Sequence, residues 1–347
     1  MNILVLGGTA FLGRHLVDAA IARGHAITVF SRGHHGEPRR GVEWLHGDRN
    51  GGDLSRLAGL RWHAVIDTSG YVPAHVRASA AMLASQVDHY TFVSTLSVYA
   101  SSNEGTVDET GALEEVPDDK LEALEAIVPE GPITAVAYGQ MYGGLKALCE
   151  RAATEAMKGR TFIVRPGLVV GPYDYTDRFT YWPSRIARGG EVLAPGAPGA
   201  SSRFIDARDL SAWIVASIEL GQTGIYNATG PDYDLTMERV LAECRDVAGS
   251  DARFTWVDDD FLVAHGAEPW TNVPLWVPRT ISPASLRGTF RRALAAGLRY
   301  RPLADTIRDT LLWDQSRPPD RERRAGISPT QERNLLAAWH ARAAAQT

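Results

Sequence analysis

The stretch Ile3-Leu4-Val5-Leu6-Gly7-Gly8-Thr9-Ala10-Phe11-Leu12-Gly13 decides the fold. Four consecutive apolar residues ending at a glycine pair read as a strand buried on both faces, the habit of a parallel sheet. Leu12, Leu16, Val17, Ala20 and Ile21 then recur at helical spacing until Gly24 stops them. A second apolar strand over 26–30 completes a βαβ unit. The glycines fall at the strand-to-helix turn. A missing side chain there lets amides at a helix N-terminus approach a negatively charged pyrophosphate. In that setting Gly7, Thr9, Ala10, Phe11, Leu12 and Gly13 read as a dinucleotide-binding turn.

Working outward, further short apolar runs at 41–46, 64–67, 89–95 and 161–165 alternate with helical stretches such as 74–85. That alternation predicts a parallel α/β sheet wound on both faces. Polar residues follow the strands: Ser31-Arg32 after the second, Asp48-Arg49 after the third, Thr68-Ser69-Gly70 after the fourth, Thr95 and Ser97 at the fifth. Proteins of this kind that prefer NAD carry an acidic residue past the second strand, which accepts from the ribose 2′-hydroxyl and repels a 2′-phosphate. Ser31-Arg32 stands there instead, and a guanidinium clamps a phosphate through charge-assisted bonds. NADP(H) is therefore the expected cofactor, with NAD the alternative.

The spacing Gly7, Ala10, Gly13 resembles the GxxGxxG motif of short-chain dehydrogenases/reductases, particularly the extended and atypical branch, the NAD-dependent epimerase/dehydratase family. Ala10 departs from it at the middle position. Tyr142-Gly143-Gly144-Leu145-Lys146 matches the YxxxK pair of that family, and Tyr138 is the weaker candidate because its i+4 neighbour is Tyr142. The resemblance runs from the N-terminus to about residue 315, strongly in the first half and weakly beyond. It implies an α/β fold, a Rossmann-type doubly wound parallel sheet with a smaller C-terminal α/β substrate-binding lobe.

The resemblance also implies roles. Thr95 falls at the position that bonds the reacting oxygen, Tyr142 at the acid/base and Lys146 at the residue that lowers its pKa and holds the nicotinamide ribose. Asp48 falls beside the adenine with Arg49 next to it, and Thr68, Ser69 and Gly70 where backbone meets the central ribose and phosphates. Pro166, Gly167 and Leu168 fall beside the nicotinamide amide. The physics of the pair is independent of family. Residues four apart share a helix face. An ammonium about 4 Å from a phenol favours the phenolate by up to ~4 kcal/mol at an effective dielectric near 20.

Ser97, Leu168, Arg178, Trp182 and Arg203 are the expected substrate contacts. Leu168 stands where nucleotide-sugar relatives place an Asn, and Arg203 falls one position late for their diphosphate-clamping arginine, so a nucleotide sugar is disfavoured. Leu96-Ser97 replaces the Asp-Glu pair of related dehydratases, which argues against 4,6-dehydration. The reading is an NAD(P)-dependent oxidoreductase that moves hydride between nicotinamide and a carbonyl or hydroxyl carbon. Its alternatives are an NAD(P)-retaining sugar or nucleotide-sugar epimerase, and a non-catalytic dinucleotide-sensing or RNA-binding relative.

The 347 residues carry 36 Lys and Arg against 41 Asp and Glu, a net charge of −5, with 44% hydrophobic residues. This is a globular composition without the basic footprint of nucleic-acid binding. A dinucleotide domain over 1–170, its sheet receiving a strand near 224–229, and a substrate lobe over 171–347 are expected. The acids of the 101–135 loop or lid are expected to be solvated, 317–324 to be a basic linker, and Ser328-Pro329-Thr330-Gln331 to open a last helix. Cys149 and Cys244 read as buried free thiols, with no disulfide and no metal site. The N-terminus has no basic lead and the apolar runs are short, so a cytoplasmic location and no membrane partner are expected. The expected partner is a small-molecule substrate, with no nucleic acid, and the chain acts as a monomer or homodimer.

Overall fold

The chain forms, in order, β1 (Asn2–Leu6), α1 (Phe11–Ala22), β2 (Ala26–Ser31), β3 (Glu43–His46), β4 (Trp62–Asp67), α2 (Pro73–Leu83), β5 (Val87–Val93), α3 (Asp118–Glu125), α4 (Tyr142–Met157) and β6 (Thr161–Pro166). There follow β7 (Val169–Val170), α5 (Tyr181–Ala187), β8 (Glu191–Pro195), β9 (Ile205–Asp206), α6 (Ala207–Glu219), β10 (Gly224–Ala228) and α7 (Met237–Ala248). The last elements are β11 (Arg253–Val257), α8 (Asp259–Ala264), α9 (Ala284–Arg287), α10 (Arg291–Ala295), α11 (Leu303–Gln315) and α12 (Pro329–Ala345). This computed structural model describes all residues except 35, 51, 103–104, 128–134, 282–283 and 346–347. The Pro129-Glu130-Gly131-Pro132 part of the expected loop therefore lies outside the described residues.

Two units share the chain. Residues 1–169, 207–229 and 283–299 make the first, and 170–206, 230–282 and 300–347 the second. The first unit thus takes back α6 and the segment around α9 and α10 in addition to the strand near 224–229.

The first unit is built on a seven-stranded sheet in the order β10-β6-β5-β4-β1-β2-β3, parallel throughout. Ile3, Leu4, Val5 and Leu6 are all buried, because β1 lies at the centre and both of its faces are covered. Leu4 and Leu6 share a cluster with Val76 and Leu83 of α2 and with Cys149 and Met157 of α4. Period-two alternation turns Ile3 and Val5 to the other face, and α1 packs beside α6. The strand order reverses direction at β1, so the C-terminal ends of β1 and β4 diverge there, the place where such sheets accept ligands.

The second unit pairs β8 with β11 in parallel and packs α5, α7 and α11 together. Met237, Val240, Leu241 and Cys244 form the buried face of α7 as their spacing predicts. Ser328 and Gln331 exchange the reciprocal bonds of a capping box, 3.2 Å each. The basic 317–324 segment before α12 is fastened by ion pairs. Arg317, Arg321 and the Arg324 N–H bind Asp177 at 2.9, 3.1 and 3.1 Å. Asp314 takes Arg317, Arg321 and, at 2.6 Å, Arg323. Among the described residues no helix is long and apolar enough to cross a membrane.

Candidate active site

The glycine turn has the geometry a dinucleotide needs, and it explains which glycines the chain keeps. Gly7 has φ +94°, where a Cβ is strained and would meet Thr68 Oγ1 at 2.8 Å. A Cβ on Gly13 would run into the carbonyl oxygen of Gly7, so α1 could not approach the turn. Ala10 is the N-cap of α1 with φ −100° and ψ 165°, a conformation open to any residue, so the departure from the family motif costs no strain. No side chain caps this helix, and no acidic residue lies in its first turn. Its leading N–H groups are thus left for an anion. Thr68 donates its hydroxyl to the Leu6 carbonyl at 3.0 Å and so braces the turn from the end of β4. The residues present fit a pyrophosphate.

On the adenosine side, Ser31 accepts from Trp44 Nε1 at 3.1 Å, while His46 donates to the Arg32 carbonyl at 3.0 Å. Ser31 and Arg32 are both half-buried, and no carboxylate stands at the end of β2. Asp48 Oδ1 accepts from the Asn50 N–H at 2.9 Å, an Asx turn. Arg49 is turned inward, with Nη1 bound to Asp67 Oδ2 at 2.9 Å and only 7% of the residue exposed.

The catalytic candidates come together on the first unit. Thr95, half-buried, caps a short turn over Leu96–Val98 by accepting from the Ser97 N–H at 3.1 Å. Gly143 is the reason α4 can begin there, since a Cβ at that position would collide with the Ser97 carbonyl oxygen. Gly144 similarly makes room for Val116 and Glu115. The first turn of α4, with Tyr142, therefore lies against the turn that carries Thr95 and the exposed Ser97. Lys146, one helical turn on, is 2% exposed and donates to the carbonyls of Gly70 and Val93, 2.7 Å each. An ammonium has three donors, so one remains for a further acceptor. Burial lowers the Lys146 pKa to about 8.

Further residues surround the pair. Tyr71 stacks on Tyr138 with ring centroids 6.3 Å apart and lies 6.2 Å from the Tyr142 ring. Its own ring is 5.4 Å from Lys146 Nζ. Tyr138 is buried, and its hydroxyl has no partner among the described residues. The acids of the 101–135 loop are not simply solvated, as Glu109 accepts from the Asn227 N–H at 2.9 Å and Glu125 from the Ala74 N–H at 3.0 Å. Arg165 of β6 clamps Glu150 of α4 at 2.9 and 2.6 Å and reaches Tyr99 Oη at 2.8 Å, a buried brace between α4 and the sheet. The sequence carries a further signal for Lys146. The chain has only three lysines, Lys120, Lys146 and Lys158, among 36 basic residues, and where arginine is the habitual cation a buried lysine marks chemistry that arginine does not serve.

Past β6, the Gly167 N–H donates to the Ala228 carbonyl at 3.1 Å. A Cβ on Gly167 would meet Thr229 Oγ1 at 2.5 Å. Pro166 and Leu168 on either side are buried. In the second unit Arg178 Nε donates to Thr176 Oγ1 at 3.1 Å, and Arg203 is half-buried. Trp182 corrects the expectation of a substrate contact. It is 1% exposed, its indole N–H is bound to the Pro274 carbonyl at 2.8 Å, and it belongs to the core. Both cysteines are free and buried. No group of three or more His, Cys, Asp or Glu that could hold a metal occurs among the described residues.

The sequence pattern of the NAD dependent epimerase/dehydratase family matches residues 3–229. Among solved structures, a UDP-glucose 4-epimerase from Thermotoga maritima superposes with a TM-score of 0.61 at 18% identity, over 91% of this chain and 99% of that one. A UDP-glucuronic acid 4-epimerase from Bacillus cereus, in complex with NAD, gives 0.63 at 15% identity over 91% and 99%. The NAD-dependent NDP-hexosamine 5,6-dehydratase TunA gives 0.64 at 19% identity over 92% and 99%. At such identities the likeness is one of fold. No match was found among curated protein sequences. The family pattern covers more than half of the chain and includes the glycine turn, the Tyr142/Lys146 pair and the whole seven-stranded sheet, so this protein belongs to the NAD-dependent epimerase/dehydratase family.

Proposed function

We propose that this protein is an NAD(P)-dependent oxidoreductase acting at a carbonyl or hydroxyl carbon of a small molecule, with Tyr142 as acid/base. The observation that carries the reading is Lys146, a buried ammonium held by two backbone carbonyls one turn from Tyr142 with a donor to spare. That donor suits a ribose hydroxyl, and the positive charge favours the phenolate of Tyr142. Tyr142 Oη passes a proton to, or takes one from, the substrate oxygen. Thr95 Oγ bonds the same oxygen and orients it. The bound nicotinamide supplies or accepts the hydride. General acid/base catalysis of this kind contributes about 10²–10⁴-fold, so Tyr142→Phe is expected to lose that much turnover while cofactor affinity stays within a few-fold. Turnover unchanged by the substitution would overturn the assignment.

For the cofactor we favour NADP(H), on the ground that Ser31-Arg32 replaces an acidic residue; the family as described is NAD-dependent. Arg32→Asp then shifts preference toward NAD in titrations of the emptied protein, and no shift would place the 2′-phosphate elsewhere. A second reading, an epimerase that keeps its NAD(P), is favoured by the family and by the sugar-nucleotide epimerases that share the fold. Mass spectrometry of the nucleotide released on denaturation separates the two. Retained NAD near one per chain points to the epimerase, and loose NADP(H) to the exchanging reductase. The partner in either reading is a small molecule, met in the cytoplasm by a monomer or homodimer, with neither nucleic acid nor membrane.

A further inference from the structure

Beneath Lys146 lies a charged cluster that the proposed chemistry does not use. Asp67, at the end of β4, is wholly buried. Its Oδ2 accepts from Arg49 Nη1 and from Tyr90 Oη, both at 2.9 Å, and its Oδ1 accepts from the Ser69 N–H at 3.0 Å. Arg49 is also buried, and its Nε and Nη2 have no acceptor among the described residues. A buried guanidinium short of acceptors is costly, and apolar side chains of similar volume often serve stability as well. Such a group calls for an explanation beyond packing.

The neighbour that gives one is the lysine. Arg49 Nη2 would lie 3.1 Å from a Cβ on Gly70, so the guanidinium packs on the residue whose carbonyl holds Lys146 Nζ. Lys146 itself makes no ion pair among the described residues. Its contacts are carbonyls and the faces of Phe92 at 4.2 Å and Tyr71 at 5.4 Å. The ionisable groups facing it are Cys149 and Glu150 on its own helix, Asp67 on β4, Tyr71 just before α2 and Arg49 after β3. Burial lowers its pKa most, Cys149, Asp67 and Glu150 support its charge, and Arg49 opposes it.

We propose that the Arg49–Asp67–Tyr90 cluster is a positioning device for Lys146, in which Arg49 engages the Asp67 carboxylate and withholds it from becoming the lysine's counter-ion. Lys146 is then bound only by neutral dipoles. Its charge is not locked in a salt bridge, its third N–H stays available to the ribose, and its proton stays exchangeable near neutral pH. The inference rests on the reading of Lys146 as the functional lysine and names the residues that set its ionisation.

Because the chain has three lysines, protein labelled with ¹³C at lysine Cε gives three resonances, assigned with Lys120→Arg and Lys158→Arg. Following them against pH reads the Lys146 midpoint without substrate or cofactor. Arg49→Met frees the carboxylate and is expected to raise the midpoint by about one pH unit, whereas Asp67→Asn removes support and lowers it. Tyr90→Phe, the mildest change, deletes one donor to Asp67 and raises the midpoint by a smaller amount; it stands in for Arg49→Met if that variant does not fold, and Asp67→Ser, expected to lower the midpoint, stands in for Asp67→Asn. A cluster that only packs would, once loosened, admit water in every variant and move every midpoint up toward the ordinary lysine value, Asp67→Asn included. That common direction, or an unmoved midpoint in both Arg49→Met and Tyr90→Phe, overturns the proposal. The titrations are separate from the turnover of Tyr142→Phe, so failure of the catalytic reading and failure of this one give different results.

Discussion

In the first unit, the residues of the candidate site are neighbours along the chain: Gly7 with Gly13 at one turn, Thr95 with Ser97 at another, Tyr142 with Lys146 on one helix face. In the second unit, the groups that hold charge come from far apart. Asp177 meets Arg317 and Arg321 across 140 and 144 residues, and Arg185 meets Glu332 at 2.6 Å across 147. The contrast is one of what does the constraining. A turn that must present backbone amides dictates residue types at fixed spacing, whereas a long-range ion pair asks only that two charges arrive at one place. The first leaves a pattern in sequence and the second leaves none.

The sharpest way to break this comparison is to remove a charge from the second unit. Burial pushes the Asp314 carboxyl up, but the bonds from Arg323, Ser184 and Arg321 outweigh it and hold the group well below the usual carboxylate range. A folded-state pKa below the unfolded value contributes stability above about pH 4, and that contribution is lost as pH falls. Asp314→Asn leaves three arginines short of a partner and is expected to destabilise by on the order of 3 kcal/mol. Urea unfolding at pH 7 measures the loss. The same variant should show a flatter decline in stability below pH 4 than the wild type, and an equally steep one would remove Asp314 from the account.

The next test stays in the first unit. Gly13→Ala forces α1 away from the turn and is expected to weaken cofactor binding ~100-fold, about 2.7 kcal/mol. Ala10→Gly, at an unstrained position, should change binding less than two-fold, to about the level of noise. Fluorescence titration with NADPH and NADH reads both, and equal effects at the two positions would refute the distinction drawn between them. A stability loss smaller than that of Asp314→Asn belongs to the cap of α12. Ser328→Ala deletes one half of the capping box and should cost about 1 kcal/mol in thermal unfolding, with cofactor affinity unchanged.

Much of the fold was legible because burial on both faces writes a continuous apolar run. β1, β2 and β10 lie where such runs predict them, and β3 is two residues shorter than its run, Glu43–His46 rather than 41–46. The site was legible where backbone geometry selects a residue, as at Gly7 and Gly13. It was not legible where a side chain had two directions open to it. Arg49 follows Asp48 on a loop, and sequence position does not say whether it faces the ligand or Asp67. Trp182 belongs to an aromatic-rich stretch that suits a pocket lining and a core equally well. Glu109 lies in a loop and Glu125 closes α3, and their partners, the N–H groups of Asn227 and Ala74, carry no side-chain signal at all.

By itself, the sequence determined a parallel α/β sheet with a dinucleotide turn after its first strand, a Tyr and Lys on one helix face, and two buried thiols. Each follows from a local rule of periodicity or steric exclusion that acts within a few residues. Only the tertiary structure decided that Lys146 hangs from the Gly70 and Val93 carbonyls, that Asp67 is shared by Arg49 and Tyr90, and that the basic 317–324 segment is fastened to Asp177 and Asp314. Charges buried together must find one another through the packing of the whole chain, and their energies depend on which groups the fold leaves beside them.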